Sequence, residues 1–250
     1  MDEWIAILLP FVLLMSRIAA FIAVCPIFGW RSVPLVVRSG LVVMLTVFFA
    51  ASMPPAVDPT GVGWVRAVVL ILQEAIIGLA LGLAARFVYS AVQQGGLIAA
   101  QQMGFADAGV IDPVSGSRAR PISTLFEMTF ALLFLIAGGH QLLLMVVANS
   151  FQGFPVAEAP DIGGLAGGLV NAGSAMLLFA LKLAAPMLAG FLILAVLLCI
   201  IARVLPEMNI LLASFPLRVG MGLFMAAAIM PLMNAFTNDL AKWMSSFLVV

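Results

Sequence analysis

Hydrophobic positions in this chain are collected into long runs, which short segments rich in proline or in charged residues separate. Proline removes a backbone hydrogen-bond donor and disfavours helix in the residue before it, so these segments mark the ends of helices. The pattern predicts six helical segments, with kinks at Pro10, Pro186 and Pro231, which lie inside runs. The six runs are Trp4–Phe28, Leu35–Met53, Trp64–Val92, Ile122–Ala148, Leu165–Ala202 and Met208–Phe236.

Composition identifies the surroundings of these helices. Hydrophobic residues make up 64% of the 250 residues and charged residues 9%, whereas a soluble domain has about 45–50% apolar and about 25% charged residues. The chain therefore has too little polar surface for a soluble globular enzyme and too much apolar surface for a disordered protein. One helical crossing of a bilayer needs about 20 apolar residues, which leaves room for roughly six crossings. We expect an all-α integral membrane protein with about six long, kinked hydrophobic helical segments.

Charged residues between the runs predict an orientation. Arginines lie in the first, third and fifth gaps, whereas the second and fourth gaps and the N-terminus are acidic. The positive-inside rule then places the odd gaps in the cytoplasm and both termini outside. The acidic start also indicates a retained first helix, because a cleavable signal peptide has a basic start. The gap residues are Arg31, Arg38, Arg118, Arg120, Arg203 and Arg218, and Asp58, Glu158 and Asp161.

Residues that carry catalysis are scarce. His140 is the single histidine, and no nucleophile, phosphate-binding or metalloprotease motif accompanies it. Cys25 and Cys199 lie in apolar runs, where we expect them to be small buried hydrophobic residues. The sequence therefore predicts no enzymatic activity, no metal and no cofactor. A formal net charge of zero gives no indication of a nucleic-acid partner.

Four residues of the third run form a stripe along one side of the predicted helix. Glu74, Gly78, Gly82 and Arg86 recur at intervals of four. The two glycines permit the close approach of another helix backbone. The stripe packs either against another helix of this chain or against a partner subunit. In the second case the partner would satisfy the carboxylate of Glu74, since an unpaired carboxylate is costly in hydrocarbon.

Lys182 lies deep in the fifth run, where a lysine costs about 2.5–3.5 kcal/mol on insertion scales. It either extends along a tilted helix to a membrane surface or makes a polar contact in an assembly or pore. The same two alternatives apply to Glu127, which lies near the start of the fourth run and therefore closer to a membrane surface. The fifth run would measure about 57 Å as one helix, which is longer than a conventional crossing.

The segment Gln93–Pro121 is the longest gap between runs and is polar and rich in glycine. It is either an ordinary cytoplasmic loop or a re-entrant loop that obstructs a pore, which is tolerated at membrane depth where protein or water surrounds it. Methionines cluster in the last run, at Met221, Met225, Met230 and Met233. We expect them to pack, because methionine adapts to irregular contacts.

An ordered series of short motifs resembles the flagellar biosynthetic protein FliR family over about 200 residues. Each motif is weak alone, and their order makes the series specific. Four positions depart from the family pattern, namely Ala195, Cys199, Glu207 and Arg218, and affect local contacts only. The motifs are Arg17, Pro26-Ile27-Phe28-Gly29, Pro34, Arg38, Gln73-Glu74, Gly78, Gly82, Gln102-Met103-Gly104-Phe105, Asp112-Pro113, Gly116, Gly139-His140, Ser150-Phe151, Pro155, Leu183-Ala184-Ala185-Pro186, Arg203, Pro206, Asn209 and Phe215-Pro216-Leu217-Arg218.

The resemblance implies a structural and gating subunit of the flagellar type III protein export gate. Members of this family assemble with several copies of the P-type and Q-type gate proteins into a cone-shaped pore in the inner membrane of the flagellar basal body. A B-type substrate-switch subunit associates with the cytoplasmic side, and unfolded flagellar proteins are transient substrates. By this resemblance, residues 1–160 are P-like, with a central plug loop at 103–120, and residues 161–250 form a Q-like helical hairpin among membrane lipid.

The same resemblance assigns candidate roles to residues of this chain. Glu74, Lys182 and Arg203 are candidates for polar contacts between subunits or in the pore, and Gly78 and Gly82 for helix packing. The residues matched to the plug of the closed pore are Met103, Gly104, Phe105, Asp107, Gly109, Asp112, Pro113 and Gly116.

Two alternatives remain open. The equivalent subunit of a virulence injectisome resembles the flagellar protein closely, and gene neighbourhood separates the two. A stand-alone multi-pass transporter would have internal inverted repeats and a substrate site at the membrane midplane. The sequence contains no convincing repeat, which disfavours that class.

Overall fold

A computed structural model describes residues 2–26, 28, 33–52, 63–104, 121–136, 138–159, 161–205 and 214–229. All regular structure in these ranges is helical, which confirms the predicted all-α class. The helices are α1 (Asp2–Val24), α2 (Leu35–Ser52), α3 (Trp64–Gln102), α4 (Pro121–Ile136), α5 (Gly139–Gly153), α6 (Ile162–Val204) and α7 (Ser214–Ile229).

Helix α3 is longer than the sequence pattern predicts. The apolar run ends at Val92, but the helix continues to Gln102 through Gln93-Gln94-Gly95-Gly96. Glutamine is a good helix former, so a loss of hydrophobicity does not end a helix by itself. Gly95 packs against the side chain of Leu183, where an added Cβ would lie 2.8 Å from a methyl carbon. The first ten residues of the predicted polar loop are therefore helix.

The fourth apolar run, Ile122–Ala148, contains two helices and is not one continuous helix. α4 ends at Ile136, and α5 begins at Gly139. Gly138 has a φ of 79°, in the left-handed region that glycine adopts without a steric penalty.

Among the described residues, α2, α3 and α6 are each long and apolar enough to cross a membrane, and the bent α4–α5 pair is a fourth candidate. The described parts of α1 and α7 are shorter apolar helices. Six complete crossings therefore stay a prediction.

The chain divides into two compact units. The α1 unit contains α1, α2, α5, α3 up to Val88 and α6 up to Ser174. The α4 unit contains α4, α7, α3 from Tyr89 and α6 from Ala175. These units interleave along the sequence, and the predicted division at residue 160, which rests on likeness to P-type and Q-type proteins, stays a prediction.

Each unit has its own apolar core. In the α1 unit, Leu9 and Leu13 of α1 pack against Leu70 of α3. In the α4 unit, the ring of Phe130 lies 5.8 Å from that of Tyr89 and 5.7 Å from that of Phe134. Cys25 is buried, as expected, whereas Cys199 is exposed, contrary to expectation, because it lies on the outer face of α6.

Candidate functional site

A buried ion pair joins α1 to α3 inside the α1 unit. Nε of Arg17 donates a hydrogen bond of 2.6 Å to Oε2 of Glu74. Both side chains are almost completely removed from solvent, with 0% and 1% of their surfaces exposed. Because a buried charge is costly without partners, the pairing accounts for the presence of two charged residues within apolar helices.

The guanidinium group of Arg17 also reaches α5 and the turn after it. Nη1 donates to the carbonyl oxygen of Ser150 at 3.1 Å, and Nη2 donates to that of Phe154 at 3.0 Å. The ring of Phe151 lies against the same group, 4.6 Å from its central carbon. The carbonyls at Ser150 and Phe154 lie at the C-terminal end of α5, and that of Ser150 also accepts the backbone N–H of Phe154 at 2.9 Å. A cation there is favourable because of the helix dipole.

The second carboxylate oxygen of Glu74 holds the turn at residues 154–157, which follows α5. The backbone N–H of Ala157 donates to Oε1 at 3.0 Å. Ala157 has a φ of 69°, a left-handed conformation that costs an alanine about 1–2 kcal/mol. One charged pair thus connects α1, α3, α5 and the 154–157 turn. We call Arg17, Glu74, Ser150, Phe154 and Ala157 the polar brace.

The polar brace is closed to solvent, so its chemistry is structural. Both charged side chains are buried, and each is engaged by several fixed partners. Removal of one partner from such a pair typically costs about 3–5 kcal/mol, because the remaining charge stays buried.

The glycines of the α3 stripe lie against the backbone of α1. A Cβ added to Gly78 would overlap the carbonyl oxygen of Arg17, and one added to Gly82 would lie 2.9 Å from that of Phe21. Glu74, Gly78 and Gly82 therefore face the same helix of the same chain, whereas Arg86 is exposed. This packing corresponds to the intramolecular interpretation of the stripe. A contact between Glu74 and a partner subunit stays a prediction.

In the α4 unit, the C-terminal end of α3 is held by methionine and glycine. Met103 is fully buried, and its side chain fills the space beside Gly222 of α7, which leaves no room for a Cβ there. Gly104 follows with a φ of 82° and ends the helix. Of the predicted plug residues, Met103 and Gly104 are described here, and Phe105, Asp107, Gly109, Asp112, Pro113 and Gly116 lie outside the described residues.

A second methionine–glycine contact joins α6 to α7. Met225 of α7 lies against Gly190 of α6, with Met221 adjacent.

A hydrogen bond joins α3 to α4 in the α4 unit. The hydroxyl of Tyr89 donates to the backbone carbonyl of Glu127 at 3.4 Å, which is a long hydrogen bond. Glu127 itself is half-buried.

Lys182 and Arg203 are both exposed residues of α6. Nζ of Lys182 lies 5.6 Å from the ring centroid of Phe179, one helical turn towards the N-terminus. These two cations are separated from each other by almost six turns of helix.

His140 lies in the first turn of α5, directly after the break at Gly138. Its ring is half-buried, and its Nδ1 atom has no hydrogen-bond partner in the described part of the chain. The described residues contain no group of three or more His, Cys, Asp or Glu side chains that could hold a metal ion.

Sequence reasoning did not place Arg17 among the site residues, although the signal was available. Arg17 is the one charged residue in the run Trp4–Phe28, and Glu74 is the one acid in the run Trp64–Val92. Opposite charges in two apolar helices predict a pair, because each would otherwise be buried alone. The carbonyl acceptors at Ser150 and Phe154 have no such signature, since every residue has a carbonyl group.

Comparisons with known proteins give a consistent result. Residues 8–244 match the family described as bacterial export proteins, family 1. The chain is 33% identical to the flagellar biosynthetic protein FliR of Escherichia coli (strain K12), over 96% of this chain and 91% of that protein. It is 34% identical to FliR of Bacillus subtilis (strain 168), over 90% of this chain and 87% of that protein.

A relative from a different secretion system is less similar. The Yop proteins translocation protein T of Yersinia pestis is 27% identical, over 84% of this chain and 82% of that protein. The family match and the FliR similarities extend over nearly the whole sequence, including both compact units. The chain therefore belongs to the family of bacterial export proteins that contains the flagellar biosynthetic proteins FliR.

Proposed function

We propose that this chain is a structural and gating subunit of the flagellar type III protein export gate, which passes unfolded flagellar proteins across the inner membrane. The observation that carries the proposal is the similarity to FliR proteins along almost the whole chain. The similarity to a Yop translocation protein supports a second candidate, the equivalent subunit of a virulence injectisome. Higher identity to the flagellar proteins favours flagellar export.

The apolar surface of the helices supports a role inside a larger assembly. α3 has 39 residues and α6 has 43, which correspond to about 58 Å and about 64 Å of helix. The hydrocarbon core of a bilayer is about 30 Å thick and covers roughly half of each length. Large side chains such as Val36 and Trp64 are 81% and 80% exposed. Protein neighbours are needed for the remainder, and we infer that these are the P-type and Q-type gate proteins.

The polar residues fit that assembly in different ways. Glu74 is satisfied by Arg17 and Ala157 within the chain, so a contact with a partner would have to be additional. Lys182 and Arg203 are exposed and available to a neighbour. A B-type subunit on the cytoplasmic side, periplasmic termini, and a P-like part at 1–160 followed by a Q-like part at 161–250 complete the proposal.

The plug assignment concerns the segment that begins at the end of α3. A pore plug needs a fixed point from which the rest of the loop extends. The burial of Met103 against Gly222 and the left-handed Gly104 after it support such a fixed point. The proposed plug continues through Phe105, Asp107, Gly109, Asp112, Pro113 and Gly116.

We further infer that the subunit has no catalytic turnover of its own. Membership of an export family supports a structural role. Energy for export would then come from partners, namely an ATPase complex and the proton-motive force used elsewhere in the machine.

Native mass spectrometry after co-expression with the neighbouring P-type and Q-type genes tests the assembly. We expect a complex with one copy of this chain and several copies of each partner. A chain that purifies alone as a stable monomer would contradict the proposal and favour the stand-alone transporter. Gene neighbours from an injectisome, with restoration of virulence secretion and not of motility in a deletion strain, would favour the second candidate.

Conductance of the assembled complex tests the plug. Deletion of residues 107–117 is expected to make the reconstituted complex leaky to ions, because the closed pore would lose its obstruction. A deletion complex of normal composition with unchanged conductance would contradict the plug assignment and leave the assembly proposal intact.

A further inference from the structure

Exposed side chains form a narrow row along helix α3, within the α1 unit. Between Leu70 and Phe87 the row supplies every exposed residue, and all other residues of this stretch are buried or half-buried. The apolar members of the row expose 36–58% of their surfaces. We call this row the α3 seam, and it consists of Val65, Val69, Leu72, Ile76, Leu79, Leu83 and Arg86.

The spacing of the α3 seam alternates between four and three residues from its first member to its last. This is the heptad repeat of a coiled coil, in which the alternating positions are called a and d. Branched Val69 and Ile76 occupy a positions, and Leu72 and Leu79 occupy d positions. This combination is typical of two-stranded packing, so the α3 seam suits one further helix.

The α1 helix of this chain does not cover the α3 seam, because it packs on another face of α3. Glu74 pairs with Arg17, and Gly78 and Gly82 lie against the α1 backbone at intervals of four residues. A heptad row drifts by about 20° per repeat on a straight helix, so a neighbour that follows the α3 seam has to wind around α3 with a left-handed twist. Two different spacings on one helix therefore define two different helix contacts.

The width of the α3 seam favours a helix over lipid. Half of a helix surface corresponds to about two residues per turn, whereas the α3 seam exposes about one residue per turn from Leu72 to Leu83. The side chains on either side, such as Ile71 and Gln73, are half-buried. The open strip is thus one side chain wide, which is the width of the row that a single helix covers in a coiled coil.

Arg86 restricts which helix can bind. It continues the heptad repeat at a d position and is exposed. In a parallel pair of two copies of this chain, Arg86 would face its own copy, and in an antiparallel pair along the whole α3 seam it would lie near the exposed Arg66 of the second copy. Such like-charge contacts are unfavourable. A carboxylate at the facing position would complement Arg86, since a guanidinium group binds a carboxylate with two parallel hydrogen bonds.

We propose that the α3 seam binds one apolar helix of a different membrane subunit in coiled-coil packing, and that this helix carries an acidic residue opposite Arg86. The apolar positions supply the contact area, and the charge pair fixes the register and rejects a second copy of this chain. Because the helix comes from another subunit, this role of the α3 seam rests on the assembly proposed above.

Photochemical cross-linking tests the contact in the assembled complex. The full chain is produced with the neighbouring P-type and Q-type genes, and p-benzoylphenylalanine replaces Leu72, Ile76, Leu79 or Leu83 in separate variants. Gln73, which flanks the α3 seam, is the matched control position on the same helix. We expect several-fold more cross-linked polypeptide from the four seam positions than from Gln73. Mass spectrometry of the cross-linked peptide should identify an apolar helix of another subunit, with the same repeat and an Asp or Glu at the level of Arg86.

Three results of this experiment would overturn the proposal. An adduct with lipid and no polypeptide would show that lipid covers the α3 seam, and an adduct of twice the chain mass would show a second copy. A partner segment without the apolar repeat or the acidic residue would exclude the coiled-coil packing. If the P-type and Q-type proteins still co-purify in any of these cases, the export-gate proposal stands. A chain that purifies alone would contradict that proposal instead.

Reversal of the charge at Arg86 tests the acidic partner residue. Arg86→Glu is expected to lower the yield of assembled complex several-fold, whereas Arg86→Lys keeps most of it. Gln94→Glu adds an acid at another exposed position of α3 and should leave the yield unchanged. A lysine in place of the identified acidic residue of the partner should restore assembly with Arg86→Glu.

Unfolding of the purified Arg86→Glu chain in detergent separates assembly from folding. Because Arg86 is exposed, the unfolding temperature is expected to equal that of the unchanged chain. A wild-type yield of complex for Arg86→Glu would overturn the proposed charge pair. A lower yield together with a lower unfolding temperature would mean that Arg86 stabilises this chain itself, which also overturns it.

Discussion

The α1 unit and the α4 unit are held together by different kinds of interaction. In the α1 unit, a buried charged pair with directed hydrogen bonds connects three helices and a turn. In the α4 unit, the contacts of α7 with α3 and with α6 are made by methionine side chains against glycines. Directed bonds permit one arrangement, whereas methionine has several rotatable bonds and adapts to a shifted neighbour. The difference suggests a rigid part and an adjustable part within one chain.

Removal of one charge from the polar brace has the largest expected effect. Glu74→Ala leaves Arg17 charged and buried and releases the N–H of Ala157, so we expect a loss of about 3–5 kcal/mol of unfolding free energy. Thermal unfolding of the purified chain in detergent measures this. Arg66→Ala, at an exposed position of the same helix, is the matched control and should change stability by less than about 0.5 kcal/mol.

The double variant Arg17→Met/Glu74→Leu sharpens this result, since it removes both charges and keeps the volume apolar. We expect it to be more stable than Glu74→Ala, because no unpaired charge remains. If Glu74→Ala unfolds at the temperature of Arg66→Ala, the polar brace does not stabilise the α1 unit and the contrast between the units is lost.

Introduction of a methyl group between α1 and α3 is expected to cause the next largest loss of stability. In Gly78→Ala the new Cβ meets the carbonyl oxygen of Arg17, which is backbone and cannot rotate away. We expect a loss of about 1–3 kcal/mol, which is typical of overpacking, and a smaller loss for Gly82→Ala. Unfolding in detergent again provides the measurement.

Gly40 of α2 provides the control for this series, because no atom lies within 4 Å of the position that its Cβ would take. Gly40→Ala should raise stability by about 0.5–1 kcal/mol through higher helix propensity. Equal stability changes for Gly40→Ala and Gly78→Ala would mean that α1 and α3 can separate freely.

The same substitution in the α4 unit should be better tolerated. In Gly190→Ala the new Cβ meets the terminal sulfur and methyl groups of Met225, which can move to another rotamer. We expect a loss below about 1 kcal/mol, and no loss in Gly220→Ala, where the Cβ has open space. A loss for Gly190→Ala as large as that for Gly78→Ala would mean that the methionine contact is as rigid as the polar brace.

The helical class and the bounds of α2 follow from hydrophobic runs and prolines, because those signals act locally. The break at Gly138 was not predicted, since apolar residues continue on both sides and a single left-handed glycine ends the helix. The extension of α3 to Gln102 depends on packing against α6, which a local pattern does not contain. In the candidate site, the charges of Arg17 and Glu74 were visible in the sequence, whereas their carbonyl and N–H partners required the fold.

Replacement of the methionine itself should have only a modest effect on stability and is best judged by its effect on secretion. Met225→Leu keeps the volume and apolar character, so we expect a change below about 1.5 kcal/mol. Leucine has fewer rotatable bonds and adapts less well to movement of α6 against α7. If the α4 unit adjusts during export, Met225→Leu should reduce secretion of flagellar proteins more than it reduces the amount of assembled complex. Wild-type secretion at wild-type assembly would mean that the methionine contact only fills space, and the adjustable character of this unit would then lack support.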